Sequence, residues 1–403
     1  MLFRRPAPLF AALGLGAALA LSLTPADAAT KKAAKPKTTK STKTTKAPAS
    51  TAAPSTVAPA PALTNAVTAD GITPDRCEAN KKAGKITYLS GFDYAATASI
   101  VEMIVADAKG YFAKMCLDVD VRASFSTANY ALVADNKAQF SSAGSYIELL
   151  KSTPKEKPLV MAYGLGKTAI EGLMVRDDII KGLRDLRGKT IGMKGDIPPS
   201  IVAMLNKVGL KRGVDYKDKL VEGFNPIAHF QLPIDALPGY KSNEPGQLDR
   251  AGFAYKLFDP SAYDIPGSFG IIYTNAKFLT ENPTAAQDFV RAALKGYADA
   301  AADPDAAVDL AVKRINANGN RNFLSPDGER FRWKIESKVV ASSTPAGTAV
   351  GLIIPKLLQE QVDDYAEAGV FGTAPKPSIA GSYDDTLVKS VIGPDNQVIW
   401  PKK

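Results

Sequence analysis

The side chains best equipped for chemistry in this 403-residue sequence cluster between positions 233 and 250, where Tyr240, Asn243 and Glu244 follow a short apolar run of Ile234, Ala236 and Leu237. The run reads as a strand end, and the residues from Gly239 to Pro245 crowd turn formers around the polar groups. A strand that stops in a polar loop bearing an aromatic ring is where open α/β sheets hold ligands. Glu244 could join Asp93 as a carboxylate pair for acid–base work, although nothing in their spacing demands it. Asp196 lies in a loop, residues 194–199, ahead of a helical pattern; the helix start would favour an anion, and the carboxylate would oppose one.

Catalytic motifs mostly fail inspection. Gly166, Lys167 and Thr168 resemble the end of a phosphate-binding loop, but Met161 stands where that pattern needs glycine. No Gly-x-Ser-x-Gly elbow occurs, and the one histidine, His229, reads as a satisfied structural or surface residue. Two cysteines and one histidine cannot build a zinc-type cluster, so no metal and no cofactor is expected.

The elements that would position these residues alternate between strand and helix. Strand patterns cover 86–89, 119–121, 139–142, 158–164, 172–175, 190–193 and 271–274. Between them, Ile100, Val101, Ile104, Val105 and Ala108 make one helical face, and Ile201, Met204, Leu205 and Val208 another. Residues 145–148 fit a capping box, which makes Ser145 a helix cap before a ligand contact. Helices also fit 331–340 and 350–368, and Asn282-Pro283 and Asp303-Pro304 mark two more helix starts. The repetition implies an α/β fold with parallel sheets.

The net charge of +9 is unevenly spread: residues 1–65 carry nine Lys and Arg against Asp27 alone, which leaves the remainder nearly neutral. No basic face large enough to grip nucleic acid is implied. Residues 1–29, with Arg4, Arg5, an apolar stretch and small residues near Ala29, read as a cleaved secretory signal. Residues 30–75, rich in Lys, Thr, Ala and Pro, read as a disordered linker. In the oxidising compartment this implies, Cys77 and Cys116 precede neighbouring strands and are either a disulfide or two unlinked small residues.

Several segments resemble the NMT1/THI5-like solute-binding proteins of ABC importers: Gly110-Tyr111-Phe112, Leu117-Asp118-Val119, residues 185–192, Asp235-Ala236 through Asn243-Glu244-Pro245, and residues 360–371. The resemblance spans about residues 84–395, and the Gly-Tyr and Asn-Glu-Pro pairings look most like the branch that binds thiamine-precursor pyrimidines. Cys116 stands where the family usually has glycine, and Phe92 and Tyr94 where pyrimidine binders often offer tryptophan. What the resemblance implies is a type II periplasmic binding protein fold: two α/β lobes, 76–172 with 269–403 and 173–268, joined by crossings near 172–175 and 267–274, with the C-terminal helices on the first lobe. It further implies a monomer outside the cytoplasm that captures a small molecule by hinge closure and delivers it to a membrane permease. Phe92, Tyr94 and Tyr240 would then stack on a flat ring, worth about 0.5–1.5 kcal/mol per pair. Asn243 and Glu244 would accept from an exocyclic amine, Asp93 would belong to the same ligand-binding set, Ser142, Ala143 and Gly144 would offer backbone and hydroxyl groups, and Asp196 and Glu244 would repel a sulfonate. The alternatives are a sulfonate, nitrate, taurine or riboflavin binder, or a pyrimidine-synthase-like enzyme.

Overall fold

Burial along the strands sets the architecture. The computed structural model describes residues 67–68, 70–318 and 325–402. The expected signal, 1–29, and residues 30–66 and 69 of the expected linker lie outside the described residues; a helix begins at Pro74, so the linker does not run to 75 as expected. The chain divides into Met1–Pro54 and Ser55–Lys403, and every described residue belongs to the second unit.

The chain opens with α1 (Pro74–Lys82), β1 (Lys85–Leu89), α2 (Val101–Ala108), α3 (Tyr111–Lys114), β2 (Asp118–Arg122), α4 (Ser126–Ala134), β3 (Phe140–Ala143), α5 (Tyr146–Ser152) and β4 (Leu159–Gly166). It continues through β5 (Glu171–Val175), β6 (Thr190–Met193), α6 (Pro199–Lys207), β7 (Lys217–Leu220), α7 (Pro226–His229), β8 (Ala236–Tyr240), α8 (Glu244–Arg250) and β9 (Lys256–Phe258). It closes with β10 (Phe269–Asn275), α9 (Ala276–Glu281), α10 (Pro283–Ala302), α11 (Pro304–Ala317), α12 (Pro326–Ser343), α13 (Pro355–Glu367) and α14 (Asp385–Val391).

Among the described residues two five-stranded sheets result, ordered β2-β1-β3-β10-β4 and β7-β6-β8-β5-β9. Each has a parallel run, β2-β1-β3 and β7-β6-β8, as the strand–helix alternation predicts. The sheets are nevertheless mixed, which corrects the expectation of parallel sheets. β10 runs antiparallel to both β3 and β4, and β5 antiparallel to β8 and β9, because each enters its sheet from the other lobe. β4, β5 and β10 are buried at every position, as strands covered on both faces must be.

The chain passes from the first sheet to the second through 167–170 and returns through 259–268. The two connections touch: a Cβ on Gly267 would collide with the Ala169 backbone, so only glycine permits the approach. The C-terminal helices do not all sit on the first lobe. α13 packs between α5 and α6, joins Ile201 and Leu205 in one apolar cluster, and its Tyr365 hydroxyl donates to the Pro266 carbonyl at 2.9 Å. This helix also starts at Pro355, not at 350, because Gly351 is spent on a bridge to Gly164 in a left-handed conformation, φ 89°.

Cys77 and Cys116 are bonded, which fastens α1 beside α3. Cys116 has φ 54°, the left-handed region glycine enters freely and other residues enter at a cost of about 1 kcal/mol. Arg76 of α1 reaches Asp288 of α10 at 2.6 Å, where Asn80 and Arg291 also donate, so the start of the folded region is tied down twice.

Candidate functional site

The carboxyl ends of both parallel runs face one cleft. Phe92 follows β1, Ala143 ends β3 with Gly144 just beyond it, Lys194 follows β6, and Tyr240 ends β8. They enclose a cavity of about 260 Å³, close to the lower end of the roughly 300–1,000 Å³ usual for ligand sites.

One wall is aromatic. Phe92 meets Phe125 edge-on at 5.9 Å and Phe224, from the other lobe, edge-on at 5.0 Å. Tyr240 and Phe269 line the interior, and the Arg332 guanidinium stands 6.0 Å from the Phe92 ring centre. The opposite wall is ionic. Glu244 is buried and ion-paired with Lys194, and its Oε2 accepts from the Tyr240 backbone N–H at 2.8 Å. Burial alone would raise the Glu244 pKa, but the Lys194 charge and hydrogen bond outweigh it and hold the carboxyl below its ordinary value. Glu148 closes the base, its pKa raised by burial even though it receives hydrogen bonds from the Gly144 and Ser145 backbone.

Behind the cavity, Glu336 of α12 ties the lobes together. It accepts from Thr97 and Ala98 of the first lobe and from Ser242 of the second, each at 2.6 Å. Arg332, one turn earlier on α12, sits 3.5 Å from Glu329, and its buried Nε has no partner among the described residues. Under the first-lobe wall, Ser142 Oγ accepts from the Gly91 N–H at 2.8 Å and so holds the Phe92 loop in place.

Seven of the ten predicted site residues therefore come together: Phe92, Ser142, Ala143, Gly144, Tyr240, Asn243 and Glu244. Three do not line this cavity. Asp93 takes φ 42° and caps the Tyr94 N–H at 2.9 Å, so it makes no carboxylate pair with Glu244. That turn sends Tyr94 into the core, where its hydroxyl donates to the Val121 carbonyl, and it cannot stack on anything in the cavity. Asp196 lies in an adjoining groove, paired with Arg212 at 2.6 Å. The expected repulsion of anions by Asp196 and Glu244 is corrected accordingly, since each carboxylate has a basic partner. Glu244 is also the first residue of α8, not a loop residue.

Sequence reasoning missed Lys194, Glu148, Phe224 and Arg332. Lys194 carried a usable signal, because it directly follows a parallel strand, the position the sheet rule singles out. Glu148 was assigned to the capping box, and the Ser145 hydroxyl does accept from its N–H at 3.2 Å; the carboxylate lines the cavity as well. His229 is a buried structural residue as expected, with Nε2 2.8 Å from the Glu222 carbonyl, but it is only half satisfied, since the buried Nδ1 has no partner among the described residues. Among the described residues no group of His, Cys, Asp and Glu could hold a metal, and no helix is long and apolar enough to cross a membrane.

Comparison with known proteins gives three kinds of likeness. The NMT1/THI5-like family model matches residues 97–307. The riboflavin-binding protein RibY of Chloroflexus aurantiacus is 30% identical over 172 residues, 41% of this chain and 45% of that protein, so the match spans under half of this relative. Among solved structures, the alkanesulfonate-binding protein SsuA of Xanthomonas axonopodis superposes with a TM-score of 0.55 at 13% identity, over 74% of this chain and 98% of that one. SsuA of Escherichia coli gives 0.50 at 15% identity, over 70% and 85%. At such identities the superpositions speak for the fold, and they agree with the two mixed sheets and double crossing described above. The family match covers more than half of the sequence and contains most of the residues that wall the cleft: the chain belongs to the NMT1/THI5-like family and has the two-lobed fold of periplasmic binding proteins.

Proposed function

We propose that the protein is an extracytoplasmic solute-binding protein of an ABC importer, and that its ligand is a neutral, flat nitrogen heteroaromatic. The observation that carries this reading is the charge-balanced, ring-walled cavity: Phe92 and Tyr240 offer ring faces while Lys194 and Arg332 are matched by Glu244 and Glu329. A neutral ring with donors and acceptors on its edge finds partners there without displacing an ion pair. An alkanesulfonate would have to take Lys194 from Glu244 and leave that buried carboxylate uncompensated. The partial relative named for riboflavin binding supports an isoalloxazine ring. The acceptors Asn243 and Glu244 would also serve the aminopyrimidine of a thiamine precursor.

In this proposal 76–172 and 269–403 form one lobe, with α13 reaching across to α6, 173–268 form the other, and movement about 167–170 and 259–268 opens the cleft. Glu336 and the Phe92, Phe125 and Phe224 rings would join the lobes when it closes. The closed monomer would be what a membrane permease reads, the secretory signal placing it outside the cytoplasm. We read the chain as a binder and not a catalyst, because Glu244 and Glu148 are both held by protein donors.

Isothermal titration calorimetry with riboflavin, a 4-aminopyrimidine and an alkanesulfonate tests the reading. At least one heteroaromatic should bind with micromolar or tighter affinity and the sulfonate should not. Micromolar sulfonate binding with no heat from either heteroaromatic would overturn it.

A further inference from the structure

Beside the cavity lies a second, larger space of about 530 Å³ whose chemistry differs. Ser126, Glu148, Lys194 and Tyr240 border both, so the two are compartments of one cleft. They meet at a waist beside Gly144, where an added Cβ would lie 2.6 Å from Glu148 Oε2 and 3.0 Å from the Tyr240 hydroxyl. The cavity is lined by Phe92, Phe224 and Phe269; the groove is lined by no phenylalanine or tryptophan. Its walls carry the hydroxyls of Ser126, Thr127, Tyr130 and Ser152 and the carboxyl groups of Glu148 and Glu171.

Glu171 is the informative residue. It stands at the start of β5 opposite Tyr240, is 2% exposed, and is steadied by the Ser200 hydroxyl at 3.2 Å. Among the described residues this deep carboxyl group forms no ion pair with a lysine: Lys194 is taken by Glu244, Lys241 by Asp259, and the Lys151 of the groove is exposed. Asp196, at the outer edge, is held by Arg212.

We propose that one ligand spans both compartments, its flat ring in the cavity and an uncharged, polyhydroxylated chain in the groove, with Glu171 and Glu148 hydrogen-bonding to the chain hydroxyls. This rests on the heteroaromatic reading above and adds to it the class of substituent. Burial pushes the Glu171 carboxyl up to about 7 and raises that of Glu148, so near neutral pH Glu171 can both donate and accept, which suits hydroxyl groups. A phosphate on the chain would face the Glu148, Glu171 and Asp196 carboxyl groups as well as Lys151 and Lys194, of which Lys194 is already paired with Glu244.

Calorimetry with three flavins separates the possibilities: riboflavin, lumiflavin, which has the ring without the chain, and flavin mononucleotide, which has the chain phosphorylated. Riboflavin should bind at least tenfold more tightly than either. Glu171→Gln should weaken riboflavin about tenfold, the value of one strong hydrogen bond, and leave lumiflavin within twofold. Tyr130→Phe, which keeps the ring stacked on Tyr273, should weaken riboflavin alone by a smaller factor. Lumiflavin or the mononucleotide binding as tightly as riboflavin overturns the inference, as does Glu171→Gln weakening ring and full ligand equally. If no flavin binds but a 4-aminopyrimidine does, the chain compartment is refuted and the heteroaromatic reading stands; if no heteroaromatic binds, both fall.

Discussion

Replacing Lys194 with Met tests the electrostatics of the cleft directly. The Glu244 side chain is 4% exposed and Lys194 23%, so the substitution leaves a carboxylate in a site that water enters only where the lysine was. Removing one partner of a buried pair costs about 3–5 kcal/mol, and the partial exposure here lowers the expected loss to about 2–3 kcal/mol. The sign depends on pH. In the native protein the Glu244 pKa is depressed, so the pair contributes stability above the ordinary carboxylate value and loses it as pH falls through the lowered one. In Lys194→Met only the Tyr240 and Glu244 backbone N–H groups still oppose burial, so the pKa rises and the penalty grows with pH above the ordinary value. Urea denaturation at pH 7 should therefore show the full loss, and at pH 3 little of it. Glu244→Gln leaves a lysine that can reach solvent and should cost about 1 kcal/mol; the double variant should match it, a coupling of about 2–3 kcal/mol. Equal losses at pH 3 and pH 7, or additive single substitutions, would refute the pairing as the reason for the balanced charge.

Two further outcomes follow from features outside the cleft. Burial pushes the Glu102 carboxyl up to about 8, with Tyr163 donating at 3.1 Å, so it is protonated at neutral pH and stability falls as pH rises from about 4.5 to about 8. Glu102→Gln should flatten that slope in thermal melts across pH 5 to 8, and an unchanged slope would assign it elsewhere. Opening the Cys77–Cys116 bond, 39 residues apart, should cost about 4 kcal/mol by chain entropy. Cys77→Ala with Cys116→Gly should recover about 1 kcal/mol over Cys77→Ala with Cys116→Ala, because glycine accepts φ 54°; denaturation midpoints in the opposite order would contradict that account.

Most elements were legible because their signals are local. The Ile201, Met204 and Leu205 face became α6, Asp303 does cap α11 through the Ala306 N–H, and Ser145 caps α5. Strand direction was not legible. β10 looks like any apolar strand, and only its insertion between β3 and β4, over a hundred residues earlier in the chain, makes it antiparallel. The site divided along the same line. Phe92 and Tyr94 share one loop and one residue class, yet the left-handed turn at Asp93 aims them at different surroundings. Glu244 was found as a carboxylate and misjudged as a charge, since the lysine that neutralises it lies fifty positions away. Arg332 and Phe224 reach the cleft only through packing of α12 and of the segment before α7, which no periodicity announces.

The placement of α13 bears on affinity in a way that has nothing to do with the ligand. The helix touches α5 on one lobe and α6 on the other, and Asn206 of α6 donates to the Ala368 carbonyl at its end. Any motion that parts the sheets must slide or break that seam, so its strength helps set how much of the empty protein rests closed. Apparent affinity scales with the fraction that is competent to bind, and a residue in the seam then tunes every ligand by one common factor while leaving their ranking alone. Selectivity would be written in the cleft, and sensitivity in the seam that α13 makes with α5, α6 and the 259–268 connection.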